Sequence, residues 1–294
     1  AALFGINAAF SQQYRYAAAE SVDQKFVSRA ISMILLGAIG GAMLGPELVT
    51  RGRFWIESAP YAGSLISLSV LFGIQSILLM SLRTFSVQDD GDLEVNARPL
   101  GILLRQRVFI MAMLGGTVAY GAMTFIMTAT PISMYKMHGF TLGSTSIVIQ
   151  SHIIGMFLPS LITGTLIKKY GHSKIIYSGA LIYLICIFLS FYDQTFINYL
   201  IALVLLGIGW NFLFIGGTSL LVLCYKESEK FKVQGFNDVL VFSIQSIASL
   251  TAGYSILKFS WNEINLACIP LILLIILVSI RSDISVSYTH LRAH

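Results

Sequence analysis

Charge is what this chain has least of. Asp, Glu, Lys and Arg make up 11% of its 294 residues, less than half of the roughly 25% usual in soluble domains. With 56% hydrophobic residues and a mean hydropathy of +0.78, it cannot cover a water-facing surface. Cysteine is nearly as scarce. Cys186, Cys224 and Cys268 all fall inside or at the edge of apolar runs, which suits small apolar filler and excludes a disulfide framework or a cysteine metal site. The His and carboxylate clusters that metal or acid–base chemistry requires are missing, and so is the phosphate-cradling loop of a nucleotide-driven pump. The net charge of +5 is spread over short connections and forms no basic patch with interleaved aromatics. These absences point away from an enzyme and from nucleic-acid binding, and neither cofactor nor metal is expected.

What is present is a set of long uncharged runs. They are Ala30–Leu48 (broken only by Glu47), Ser58–Leu82, Val108–Tyr135, Met137–Ile167, Ile175–Tyr192, Gln194–Tyr225, Val239–Leu257 and Ile264–Ile280. A spanning helix needs about 20 apolar residues, so these predict eight complete spans, with Ala1–Tyr14 as the end of a ninth. A β-barrel would show shorter alternating segments; the expected fold is an all-α membrane bundle. The opening has neither an initiator Met nor the basic start of a signal peptide, and the chain is read as a fragment lacking its N-terminal part.

Lys and Arg mark cytoplasmic loops. One set of alternate connections carries Arg15, Lys25, Arg29; Arg83, Arg98, Arg105, Arg107; Lys168, Lys169, Lys174; and Lys226, Lys230, Lys232. The other carries Arg51, Arg53, Lys136 and Lys258, a ratio of 13 to 4. The first set, and the C-terminus, are therefore expected in the cytoplasm. The longest polar stretch, 84–107, holds Asp89, Asp90, Asp92 and Glu94 and reads as a linker between two bundles. A faint repeat supports two bundles. Both Gly5–Ser32 and Gly207–Asp238 open on Gly-Ile and pass through Glu-Ser (Glu20-Ser21, Glu227-Ser228) to Lys-Phe. The offset is roughly 200 residues, the size of one half of a transporter built from parallel repeats.

Two motifs sharpen this reading. In GTLIKKYGHSKII, Gly164 lets a helix end pack closely and Gly171 permits a tight turn, while Lys168, Lys169 and Lys174 suit the carbonyl end of a helix. The segment resembles the loop signature G-x-L-x-D-R-x-G-R-K of the major facilitator superfamily. Gly164, Leu166, Lys169, Gly171 and Lys174 match it, whereas Lys168 stands at the acidic position and His172 at a basic one. Such departures are common in the signature's C-terminal copy, which follows the eighth of twelve helices. On that resemblance the chain holds the tail of helix 4 through helix 12. Its expected divisions are 1–83 (helices 4–6), 84–107 (linker), 108–284 (helices 7–12) and 285–294. The last of these resembles adapter read-through and is set aside as non-native.

The glycine-rich run LLGAIGGAMLGPELV then falls on helix 5, where Gly37, Gly41, Gly45 and Pro46 resemble the superfamily's antiporter motif. The glycine pair expected next is replaced by Glu47-Leu48-Val49. Small residues four apart also serve plain helix packing. QQYRYAAAE (12–20), ATPISM (129–134), LLGIGWNFLFIGGTSLL (205–221) and QGFND (234–238) resemble a bacterial permease subgroup of the family.

Polar residues inside spans are functional candidates by default. Gln150 and His152 lie mid-helix, and His152 either carries a coupled proton or hydrogen-bonds a substrate, or else is a neutral His bonded to a neighbouring helix. Trp210 can stack on a planar ligand that Asn211 orients, or both serve packing. Gln245 is a candidate cavity liner. Asn237 and Asp238 are placed at the start of helix 11, where Asp238 favours the helix N-terminus or forms a cytoplasmic gate. Arg15 and Glu20, at the end of helix 4, are candidates for pairing across the halves. The resemblance implies a secondary transporter of a small organic solute in a bacterial inner membrane, monomeric, coupled to protons and working by alternating access. The antiporter-like run extends the resemblance to drug or metabolite export, with a solute uptake permease of the same fold or a non-transporting receptor or sensor as the alternatives.

Overall fold

The computed structural model describes residues 2–81 and 97–291, and among them every regular element is a helix. Lipid offers the backbone no hydrogen-bond partner, so an apolar run must satisfy its own N–H and C=O groups. The first group of helices is α1 (Ala2–Glu20), α2 (Val27–Gly52) and α3 (Ala62–Ser81). Of the expected linker, residues up to 96 lie outside the described residues. Its end holds the short α4 (Leu100–Leu103), started by Pro99.

The second group is α5 (Arg107–Ile132), α6 (Leu142–Phe157), α7 (Ser160–Tyr170), α8 (His172–Leu189), α9 (Phe196–Val222), α10 (Lys230–Ile256), α11 (Trp261–Ala267) and α12 (Ile269–Leu291). Among the described residues, seven helices are long and apolar enough to cross a membrane, and they cover seven of the eight expected runs. The eighth, Ala30–Leu48, lies within the continuous α2.

Proline explains where the structure departs from the simple runs. The run Met137–Ile167 is two helices, because Pro159 has no N–H to continue the ladder from α6. Past Pro131, α5 ends in one π turn, Ser133–Met137. The last run divides at Cys268, just before Pro270. Helix α10 starts at Lys230, well before the uncharged run that marked it, directly after a 3-10 turn, Glu227–Glu229, in which Glu229 accepts from the Lys226 N–H. Asn237 and Asp238 therefore lie two turns inside α10, which corrects their expected place at its N-terminus.

Helix α9 is the centre of the second group and packs on α5, α6 and α8. Its glycines set those approaches. A Cβ on Gly207 would sit 2.5 Å from the His152 carbonyl oxygen and 2.7 Å from Met156 N, and one on Gly217 would sit 2.7 Å from the Ala112 oxygen. Gly171 turns the chain between α7 and α8 at φ +87°, a conformation that side chains avoid. Gly207→Ala is expected to cost about 1–3 kcal/mol through overpacking, read as a lower melting temperature of the purified protein. An unchanged melting temperature would refute the close α6–α9 crossing.

Candidate functional site between the two helix groups

Charge returns where the two groups meet. Arg15 on α1 and Asp238 on α10 pair at 2.5 Å, with side chains 2% and 12% exposed. Leaving water costs such a pair several kcal/mol per ion unless the remaining donors and acceptors are satisfied, and here most are. Gln13 donates to the second Asp238 oxygen at 3.0 Å, and Tyr16 donates to the first at 3.1 Å. Arg15 also donates to Gln12 at 2.8 Å and to the Tyr16 hydroxyl at 3.2 Å, while Asn237 donates to that hydroxyl at 3.0 Å.

A second tier lies one turn nearer the basic loops. Gln234 donates to Glu20 at 2.5 Å and to the Tyr225 hydroxyl at 2.6 Å, and Lys230 stands 3.7 Å from Glu20. Burial raises the Tyr225 phenol, so it stays a donor. Lys230, Gln234 and Asp238 are four apart and share one face of α10. That face meets Glu20, Tyr16 and Arg15 along α1.

The same end holds the loop motif. A Cβ on Gly164 would lie 2.9 Å from the Arg29 Cα, so α7 rests directly on the start of α2, and His172 reaches Ser28 at 3.5 Å. Lys168, Lys169 and Lys174 are exposed there, and Leu166 is half-buried. Ala19, Val27 and Ile31 pack on Ile167, Ile175 and Ile215, an apolar seal between the groups. Farther along α2 the glycine face is open. A Cβ at Gly37, Gly41 or Gly45 would meet nothing within 4 Å among the described residues. The partner backbone expected along that face is therefore not found there, and α2 continues as helix through Pro46.

Above the ion pair sits an aromatic cluster. The Arg15 guanidinium lies 4.9 Å from the Phe214 ring, and Phe214 stacks on Trp210 at 4.7 Å and 21°. Tyr120 meets Trp210 at 5.3 Å, Phe214 at 5.2 Å and Phe242 at 5.8 Å. The indole N–H of Trp210 and the Nε–H of Arg15 are buried with no acceptor among the described residues.

The other polar candidates go elsewhere. Asn211 repairs the helix break at Pro159. It donates to the Met156 carbonyl and the Ser160 hydroxyl, both at 2.7 Å, and accepts from Thr163 at 2.6 Å. His152 is fully buried, and its Nδ1–H donates to the Leu203 carbonyl at 2.8 Å. Gln150 is exposed and Gln245 half-buried. No described hydrogen bond joins any of Gln150, His152, Asn211 and Gln245 to another. Tyr16, Gln13, Lys230, Gln234, Tyr225, Tyr120 and Phe214 are the site residues that sequence reasoning missed. The four-residue spacing on α10 was the signal that could have found three partners of α1.

Residues 112–286 match the family described as Major Facilitator Superfamily. The chain is also 36% identical over 273 residues to the "Riboflavin transporter RfnT" of Brucella anthropi, covering 92% of this chain and 68% of that protein. The chain belongs to the major facilitator superfamily. Two relatives from Bacillus subtilis agree. The "Uncharacterized MFS-type transporter YddS" is 32% identical over 301 residues, covering 92% of this chain and 67% of its own. The "Uncharacterized MFS-type transporter YdeG" is 28% identical over 302 residues, covering 95% and 68%. As a superfamily member with multiple apolar helices, the protein is a multi-pass membrane transporter and not an enzyme.

Asp238→Ala leaves Arg15 buried without its counter-charge, which is expected to cost about 3–5 kcal/mol. Arg15→Leu combined with Asp238→Ala should cost clearly less than the sum of the single changes. A double-mutant cycle on the purified protein measures this, and additive losses would show that the pair is not coupled.

Proposed function

We propose that the protein takes up a planar heteroaromatic solute of the flavin kind by alternating access, and that the described conformation is closed to the cytoplasm. One observation carries this reading. The two helix groups are joined by a buried polar latch at the end that bears the basic loops, while farther along α2 a Cβ at Gly37, Gly41 or Gly45 would meet nothing within 4 Å among the described residues. A crevice sealed at one end and free at the other is one of the two end states that rocking bundles require. The basic loops and the C-terminus are assigned to the cytoplasm of a bacterial inner membrane by the excess of Lys and Arg at that end. The protein is assigned as a monomer.

Two features support the solute class. Stacked and edge-on rings suit a planar ligand. The unpartnered N–H groups of Trp210 and Arg15 suit one with carbonyl or ring-nitrogen acceptors. The name of the Brucella relative points the same way. Uptake is preferred to export because the antiporter glycine run is incomplete and its face is unpartnered. Proton coupling is assigned to the Arg15–Asp238 pair, since neutralising the carboxylate would release the arginine. His152 is passed over because its Nδ1–H is held by the Leu203 carbonyl.

The test is uptake of labelled riboflavin into proteoliposomes holding the full-length protein, with and without an imposed pH gradient. Gradient-stimulated uptake is expected, and its absence refutes the flavin assignment. Trp210→Ala should lower apparent affinity about tenfold, since ring pairing and indole burial together are worth more than 1.4 kcal/mol. His152→Ala should keep the gradient response; if it abolishes that response while riboflavin still binds, the proton assignment is wrong.

A further inference from the structure

A second buried carboxylate at the same end is not explained by the latch. Glu229, at the start of α10, has a fully buried side chain. Arg98 clamps it with both ends of its guanidinium, Nε to one oxygen and Nη2 to the other, each at 2.6 Å. The Arg98 backbone N–H donates to the first oxygen at 2.9 Å, the Lys226 N–H donates to the second at 2.9 Å, and Arg98 also reaches the Cys224 carbonyl at 3.1 Å. The carboxylate in turn raises the guanidinium above its usual range. A bidentate pair with this many satisfied groups is specific in orientation as well as in charge.

Its place in the chain shows what it holds. Arg98 belongs to the segment that enters the second helix group, and Glu229 is the residue before Lys230. From Lys230 the latch residues follow at four-residue intervals, so fixing the first turn of α10 fixes the register of that face against α1. We infer that Arg98 and Glu229 are positioning residues for the cytoplasmic latch: their pair straps the entering segment to α10 and favours the closed inner end. This rests on the proposed reading of the latch as a gate.

The experiment labels two single-cysteine reporters in the full-length protein, with Cys186, Cys224 and Cys268 replaced by Ser, using a membrane-impermeant maleimide. Ala19→Cys reports the inner end, because Ala19 is 1% exposed in the seal between the groups. Ser249→Cys reports the outer crevice. Ser249 is exposed and lies three helical turns beyond Asp238 on the same face of α10. Arg98→Gln and Glu229→Gln should each speed inner labelling severalfold and slow outer labelling, because a shift between two states is reciprocal. Arg98→Lys should restore part of both.

If Arg98→Gln speeds the inner reporter alone, the pair is merely structural and the inference falls. If Arg15→Gln moves both reporters and Arg98→Gln neither, the strap is refuted while the gate stands. If Arg15→Gln moves neither, the gate reading fails, and this inference with it.

Discussion

The arrangement of the two helix groups depends on one buried ion pair, Arg15 with Asp238. Neither residue tolerates the low-dielectric interior alone, and each is completed by neighbours from both groups. Gln13 and Tyr16 come from α1, and Asn237 from α10. The pair therefore exists only while the groups meet in one register. Such pairs contribute little net stability relative to apolar packing, because desolvation offsets most of the attraction. That balance suits an interface that must part. Polar groups that lose water on closing regain it on opening, whereas an apolar seal of the same area would resist separation.

Behind the ion pair the second group is tightly packed. Backbone-to-backbone approaches at Gly207 and Gly217 bring α9 against α6 and α5 with no room for sliding. Even the break at Pro159 is held, since Asn211 supplies partners for the groups exposed there. Helix α3 contrasts with this: few residues in its apolar window are buried. The interface between the tightly packed half and the loosely held one combines the polar pairs of α1 and α10 with the apolar cluster of Ala19, Val27 and Ile31 on Ile167, Ile175 and Ile215.

Much of the fold was legible in the sequence. Runs free of charge located the spans. Such a run is a local property, written residue by residue along the chain. The boundaries that moved did so at Pro159, at Cys268 ahead of Pro270, and at Glu229, where a backbone donor was lost or a polar cap supplied. Of the candidate site, Arg15, Glu20 and Asp238 were singled out at helix ends as candidates for pairing across the halves, and the structure brings Arg15 and Asp238 together. Their partners were not identified. Trp210 stays within the aromatic cluster, but Asn211 serves the helix break, a role that needs knowledge of which face meets Ser160 and Thr163.

The sequence by itself determined that this is a helical membrane protein, because burial in lipid is decided by composition over about 20 residues, while the superfamily was read from the resemblance of the loop motif at Gly164–Lys174. Only the tertiary structure decided which polar residues meet. Arg15 and Asp238 are 223 positions apart, and no periodicity along the chain records that distance closing. The glycine face of α2 makes the same point in reverse. Its spacing announces a packing surface, yet a Cβ at Gly37, Gly41 or Gly45 would meet nothing within 4 Å among the described residues, because helix contact is a property of two elements and spacing describes one.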